Sequence, residues 1–218
     1  MKYQKPLWLQ LVVLALLLVF AAAVAPAPAA EEIVPNQVVT EEKDIQKSLA
    51  PYVPTPQAVV EEMLKLADVR STDVVYDLGC GDGRIVVTAA KKFGARGVGV
   101  DYDAVRVREA LENVKAAGVQ EKVTIIQHDA MTAPLTSATV VTLYLLPDSN
   151  AKLRPRLEQF LPVGARVVSH DFDMPVWKAV EVKRASDDRG GQHTLYLWKI
   201  TPEIKERAAA APPAPAQQ

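Results

Sequence analysis

The chain has 218 residues, with 25 Lys and Arg against 26 Asp and Glu for a formal net charge of -1, and a single cysteine, Cys80. That near-neutral balance, without a Lys/Arg stripe of the kind that tracks phosphates, disfavours a nucleic-acid substrate. One cysteine excludes an internal disulfide framework and a cysteine-based zinc site, and the length suits one domain with a proper core once non-globular ends are set aside.

At the N-terminus, Lys2 and Lys5 precede an apolar run over residues 11–24, and residues 25–30 are all Ala or Pro. Residues 1–30 therefore read as a signal peptide or, uncleaved, as a membrane anchor just long enough for a hydrocarbon layer of ~30 Å. The lysines favour an N-in orientation and an extracytoplasmic (periplasmic) domain, with an anchored domain facing the cytoplasm as the alternative. Residues 31–50 read as a polar linker, 51–201 as the folded domain and 202–218 as a disordered Ala/Pro tail.

Pro51, Pro54 and Pro56 hold the next segment extended, and Val59, Val60, Met63, Leu64 and Leu66 then mark a helix with one apolar face. Thr55 followed by Pro56 suits an N-cap with proline at N1. Val74, Val75 and Tyr76 read as a buried parallel strand, followed by Asp77 and a turn carrying Gly79, Gly81 and Gly83 before the helical residues Ile85 to Ala90. The dinucleotide fingerprint G-x-G-x-x-G requires a glycine where Arg84 stands, so the pattern is G-x-G-x-G. Cys80, inside the turn, reads as a small residue filling a tight space.

With Asp77 before it, this turn resembles motif I of the class I S-adenosylmethionine (SAM) dependent methyltransferases. SAM has no pyrophosphate for a helix N-terminus to bind. It needs close backbone contact and carboxylates near an ammonium, for which Asp77 and Asp82 are candidates. A second strand ends in Asp101, the candidate partner of the ribose hydroxyls. A helix follows over 104–117, with Asp103 as N-cap and Gly118 as its stop. A third strand runs from Val123 to Asp129 and Ala130. The resemblance implies that the Asp129 side chain meets the adenine amino group and that the next backbone N–H, at Ala130, reaches the ring. It also implies that Tyr52 and Thr55 fold over the methionine end.

A fourth buried strand runs from Thr139 through Tyr144 to Leu146 and ends in Pro147 and Asp148; the resemblance implies that this end faces the transferable methyl group. The Asn/Asp-Pro-Pro-Tyr turn of enzymes acting on base amino groups is not present, and Tyr144 is a candidate lining of the acceptor pocket. A helix over 151–161 containing Pro155 precedes a fifth strand, and strands over 179–185 and 194–200 are joined by the turn-rich residues 187–191. His170, Asp171 and Asp173 at the fifth strand end read as a hydrogen-bonded corner with acid/base capacity, and no metal is expected there. The fold expected is α/β, a Rossmann-like seven-stranded class I methyltransferase sheet closed by a C-terminal antiparallel hairpin.

Taken together, "PYVPTPQAVVEEML", "VVYDLGCGDGRIV", "GVGVDYD", "VVTLYLLP" and "RVVSHDFDMPVW" resemble the small membrane-associated methyltransferases that modify lysines of ADP/ATP carriers and of the ATP synthase c-subunit. The resemblance implies SAM as methyl donor and a protein lysine as acceptor; a small-molecule acceptor stays open, and Asp148, His170 and Asp171 are candidates to assist the proton's departure, with nothing in the sequence selecting among them. Two other readings stay open as well, a non-catalytic SAM or nucleoside sensor and a nucleotide-dependent oxidoreductase.

Overall fold

A computed structural model describes residues 50–210, so the N-terminal apolar run and most of the polar linker lie outside the described residues. Helix α1 (Gln57–Leu66) leads into β1 (Val74–Leu78), α2 (Arg84–Phe93), β2 (Arg96–Asp101), α3 (Ala104–Ala117), β3 (Val123–Gln127) and β4 (Val140–Leu143). Helix α4 (Pro147–Phe160), strands β5 (Arg166–His170), β6 (Glu181–Ser186) and β7 (Gln192–Lys199), and helix α5 (Pro202–Ala210) complete the order.

The seven strands form one sheet in the order β3-β2-β1-β4-β5-β7-β6. The first five pair in parallel, whereas β7 runs antiparallel to both β5 and β6, which is the closing hairpin expected. Every residue of β1 is buried because helices cover both faces of the sheet. Val74, Tyr76 and Leu78 pack with Leu153, Leu157, Trp177 and Trp198 on one side. Val75 packs with Val59, Met63 and Ile85 on the other. Strand order reverses between β1 and β4, and the carboxyl ends of these strands open the crevice in which sheets of this kind bind ligands.

Local chemistry accounts for the boundaries. Asp103 caps α3 by accepting the Val105 N–H at 2.7 Å, and Gly118 stops it in the left-handed region at φ 68°. Helix α4 starts a turn earlier than expected because Pro147, with its preset φ, occupies the first helical position; Pro155 consequently falls in the helix interior. The N-cap of α1 is Pro56, and the Thr55 hydroxyl is used elsewhere. The disordered tail expected from residue 202 is corrected over its first part. Residues Pro202–Ala210 are helical, Ile204 packs on the core, and Lys205 Nζ meets the Gln159 and Leu161 carbonyls at 2.5 and 3.0 Å, satisfying the open end of α4. Residues 211–218 lie outside the described part.

Helix α2 sits directly on β2: a Cβ at Gly97 would stand 2.8 Å from Val86 Cβ and 3.2 Å from the Val86 carbonyl oxygen. Gly97→Ala is therefore expected to overpack the interface and cost ~1–3 kcal/mol, read as a lower urea midpoint. An unchanged midpoint would mean that α2 stands off the strand.

Candidate active site

The turn after β1 is lashed to the end of β2. The Val100 carbonyl accepts both the Gly79 N–H at 2.8 Å and the Cys80 N–H at 3.0 Å, and Asp101 Oδ2 accepts the Gly81 N–H at 2.8 Å. Gly81 needs its missing side chain twice over. Its φ is 53°, and a Cβ there would stand 2.6 Å from the ring of Tyr52. Gly83, at φ 74°, forms the entry to α2.

Residues 52–56 cross this turn as a strap. The Tyr52 ring lies between Gly81 and the Arg106 guanidinium, whose carbon stands 4.3 Å from the ring centre. The Thr55 carbonyl accepts from Arg84 Nη1 at 3.0 Å, and the buried Thr55 hydroxyl meets His170 Nδ1 at 3.1 Å. Tyr52 and Thr55 thus stand where a segment folding over the turn requires them.

Arg84, at the position that departs from the dinucleotide fingerprint, grips Asp82 with its Nε at 2.9 and 3.1 Å and its Nη2 at 2.6 Å. Half-burial would raise the Asp82 carboxyl, but hydrogen bonds and charge from Arg84 hold it below the usual range. Asp82 is consequently a paired carboxylate that ties the turn to the strap.

Asp101 and Asp77 lack such a cation. Burial raises Asp101 despite the N–H groups of Asp103 and Gly81 on its oxygens. Burial pushes Asp77 up to about 7; the Thr142 hydroxyl, donating at 2.7 Å, opposes the rise and the charges of Asp101 and Asp82 add to it. Asp129 lies beyond β3, half-buried, with Oδ1 accepting the Met131 N–H at 2.8 Å, and Ala130 is buried beside it. The acids Asp77, Asp101 and Asp129 therefore stand at or just beyond the carboxyl ends of three neighbouring strands.

Across the crevice, the half-buried Tyr144 stacks on His170 with ring centres 3.8 Å apart, and Phe172 lies 6.1 Å from Tyr144. His170 is fully buried, and both ring nitrogens are engaged, Nδ1 by Thr55 and Nε2 by His193 Nδ1 at 2.8 Å. Burial lowers its pKa to about 4, with Asp171 opposing and His193 adding to the fall. The direct acid/base role expected for His170 gives way to support of the Tyr144 ring. Asp148 is exposed in the first turn of α4, where its charge complements the helix dipole, and among the described residues it shares no hydrogen bond or ring contact with this group. His193, Arg106 and Phe172 belong to the site and escape the sequence reading, since only the strand register of β7 and the folding back of the strap bring them in.

Asp77 generates a pH test. Its folded-state pKa of about 7 lies above the ~3.9 of an unfolded aspartate, so over that window the native state holds the extra proton. The resulting contribution to stability is fully present below the unfolded value and is lost as pH rises through the folded one. Asp77→Asn keeps an acceptor for Thr142 without the charge. Its Tm should match the wild type near about pH 4 and exceed it by several degrees near about pH 8, at ~2–4 °C per kcal/mol. A difference independent of pH would contradict the assignment.

Comparison with known proteins agrees with this geometry. The model of the ANTKMT methyltransferase domain matches residues 77–181. A protein-lysine N-methyltransferase of Saccharolobus islandicus (strain REY15A) is 46% identical over 151 residues, covering 69% of this chain and 93% of the relative. The adenine nucleotide translocase lysine N-methyltransferase of Mus musculus is 36% identical over 140 residues, 64% of this chain and 60% of the relative. A crystal structure from Salinibacter ruber, described as an RNA methyltransferase in complex with S-adenosyl-L-homocysteine, superposes with a TM-score of 0.65 at 48% identity, covering 76% of this chain and 100% of that one. With the glycine turn, the reversal of strand order and the closing hairpin already in place, these likenesses make the chain a member of the ANTKMT methyltransferase domain family, a SAM-dependent methyltransferase.

Proposed function

We propose that the chain transfers the methyl group of SAM to the side-chain amine of a lysine in a membrane-associated protein. The observation that carries this reading is the relative from Saccharolobus islandicus, named a protein-lysine N-methyltransferase and covered over 93% of its length. The apolar run at residues 11–24 supports the membrane part, and Lys2 and Lys5 support an extracytoplasmic domain.

The residues fit the donor. Asp101 presents a carboxylate that already accepts two N–H groups and is poised to take ribose hydroxyls in their place. Asp129 and the Ala130 N–H are assigned to the adenine edge. Asp77 is assigned to the amino-acid end, under the strap of Tyr52 and Thr55, and the glycine turn permits close backbone approach. The donor supplies a methyl carbon activated by its sulfonium. The chain's own contribution is orientation and exclusion of water, which together account for much of the acceleration in a direct displacement.

The acceptor must arrive as a neutral amine. Tyr144 and Phe172 offer aromatic faces that attract an ammonium, and desolvation of the amine as it enters between them depresses the lysine pKa so that the proton leaves. Nitrogen then bonds to the methyl carbon as the carbon–sulfur bond breaks, and the surplus proton on the methylated nitrogen passes to solvent.

The test uses the full chain, SAM labelled in the methyl group, membrane proteins and total RNA, with the product identified by hydrolysis and mass spectrometry. Label is expected in methyl-lysine; label confined to RNA, or absent, would overturn the reading. Asp101→Asn is expected to weaken SAM binding about 10–100-fold, the loss of a charge-assisted hydrogen bond worth ~1.5–3 kcal/mol. Tyr144→Ala is expected to lower turnover at least about tenfold while SAM affinity stays within about twofold.

A further inference from the structure

The corner between β5 and β7 holds three ligand-type atoms closer together than packing requires. His170 Nε2 lies 2.8 Å from His193 Nδ1. Asp171 Oδ2 lies 3.3 Å from each of these nitrogens. Four-coordinate zinc, with bonds of ~2.0–2.1 Å, sets its ligand atoms about 3.3–3.4 Å apart, so only the two imidazoles need to part, by about 0.5 Å. Asp171 reaches the cluster from a left-handed backbone conformation at φ 59°, a region that aspartate tolerates better than most residues.

The remaining polar atom of each residue is held from behind. The Thr55 hydroxyl meets His170 Nδ1 at 3.1 Å, the Thr194 N–H donates to Asp171 Oδ1 at 2.8 Å, and Asp187 Oδ2 faces His193 Nε2 at 3.4 Å. Such outer partners orient the ligands of metal sites and fix their tautomers. Asp187 Oδ1 accepts the N–H groups of Arg189 and Gly191, which leaves Oδ2 to receive a proton from His193 Nε2. The lone pair of His193 Nδ1 then points at His170 Nε2 and the Asp171 oxygen. A proton between the two rings satisfies one contact and leaves the Asp171 oxygen facing a second lone pair. A cation satisfies all three atoms.

We propose that His170 Nε2, His193 Nδ1 and Asp171 Oδ2 bind one divalent transition-metal ion, zinc in the first instance. Two imidazoles and one carboxylate suit zinc and its neighbours and not magnesium or calcium, which prefer all-oxygen sites. Asp171 at the ion and Asp187 behind His193 match its charge. His170 is fully buried, whereas the side chains of His193 and Asp171 are 16% and 31% exposed, which gives the ion its entry. The role is structural: the ion pins β5 to β7 and, through Thr55, fixes the strap that crosses the glycine turn.

The test is independent of methyl transfer, so it stands apart from the choice of acceptor. The full chain, freed of any affinity tag and stripped with a chelator, is titrated with zinc chloride and separately with magnesium chloride. Calorimetry, bound-metal analysis and Tm are the readouts. One zinc ion per chain and a higher Tm are expected, with no response to magnesium, because an ion that binds only the folded state stabilises it. His193→Gln is expected to abolish the zinc response, and Asp187→Asn, at the rim of the cluster, to weaken binding about 10–100-fold. No saturable zinc binding by the wild type, or the same affinity in both variants, would overturn the site and leave a hydrogen-bonded histidine pair. Should His193→Gln fail to fold, Asp187→Asn decides alone, unchanged affinity counting against the proposal.

Discussion

The Val100 carbonyl and the Asp101 carboxylate hold three consecutive N–H groups of the glycine turn, those of Gly79, Cys80 and Gly81. This short bracket decides where α2 begins, how closely the turn approaches β2, and where the strand-end acids stand relative to one another. Tightness follows from it: a Cβ at Gly99 would lie 2.9 Å from Cys80 Sγ, so the cysteine fills the space that a larger residue would break open. The strap then closes on the turn through Tyr52 on Gly81 and Arg84 on the Thr55 carbonyl. A hydroxyl-bearing ligand at Asp101 would compete with the Gly81 N–H, so the proposed ribose contact falls on the bracket that builds the turn.

Charge is distributed unevenly across this bracket. Arg84 neutralises Asp82, while Asp77, buried, and Asp101, half-buried with the more distant charge of Arg106 the only cation opposing, are raised above the usual carboxylate range. Such a pocket favours a ligand that carries positive charge, because ionising either acid beside a cation costs less than ionising it alone. SAM carries a sulfonium and an ammonium; the product thioether keeps only the ammonium. On the proposed assignment, the acids that favour the donor would hold the product less firmly, and that preference needs no motion of the fold.

Much of this was legible in the residues. Gly79, Gly81 and Gly83 after a β-branched run specified strand, turn and helix, and the acid at each following strand end specified Asp101 and Asp129, because period and punctuation are local properties. Asp103 and Gly118 marked both ends of α3 for the same reason. What depends on distant partners was not legible. Thr55 looked like an N-cap, but its hydroxyl is 115 residues from the His170 nitrogen that it meets. His193 falls outside the strand expected over 194–200 and carries no signal of its own until the antiparallel register sets β7 against β5. The helix Pro202–Ala210 was hidden by its composition, since what holds it is the open end of α4 and the Glu158 carboxylate that Arg207 meets at 3.1 Å.

The central claim is that the acids Asp77, Asp101 and Asp129, presented around the glycine turn, form the SAM cradle. A crystal structure of the full chain with S-adenosyl-L-homocysteine tests it most directly. The account predicts ribose hydroxyls on Asp101, adenine at Asp129 and Ala130, and the amino-acid end near Asp77 beneath the strap. A ligand bound elsewhere, with Asp101 still occupied only by the Gly81 and Asp103 N–H groups, would contradict it.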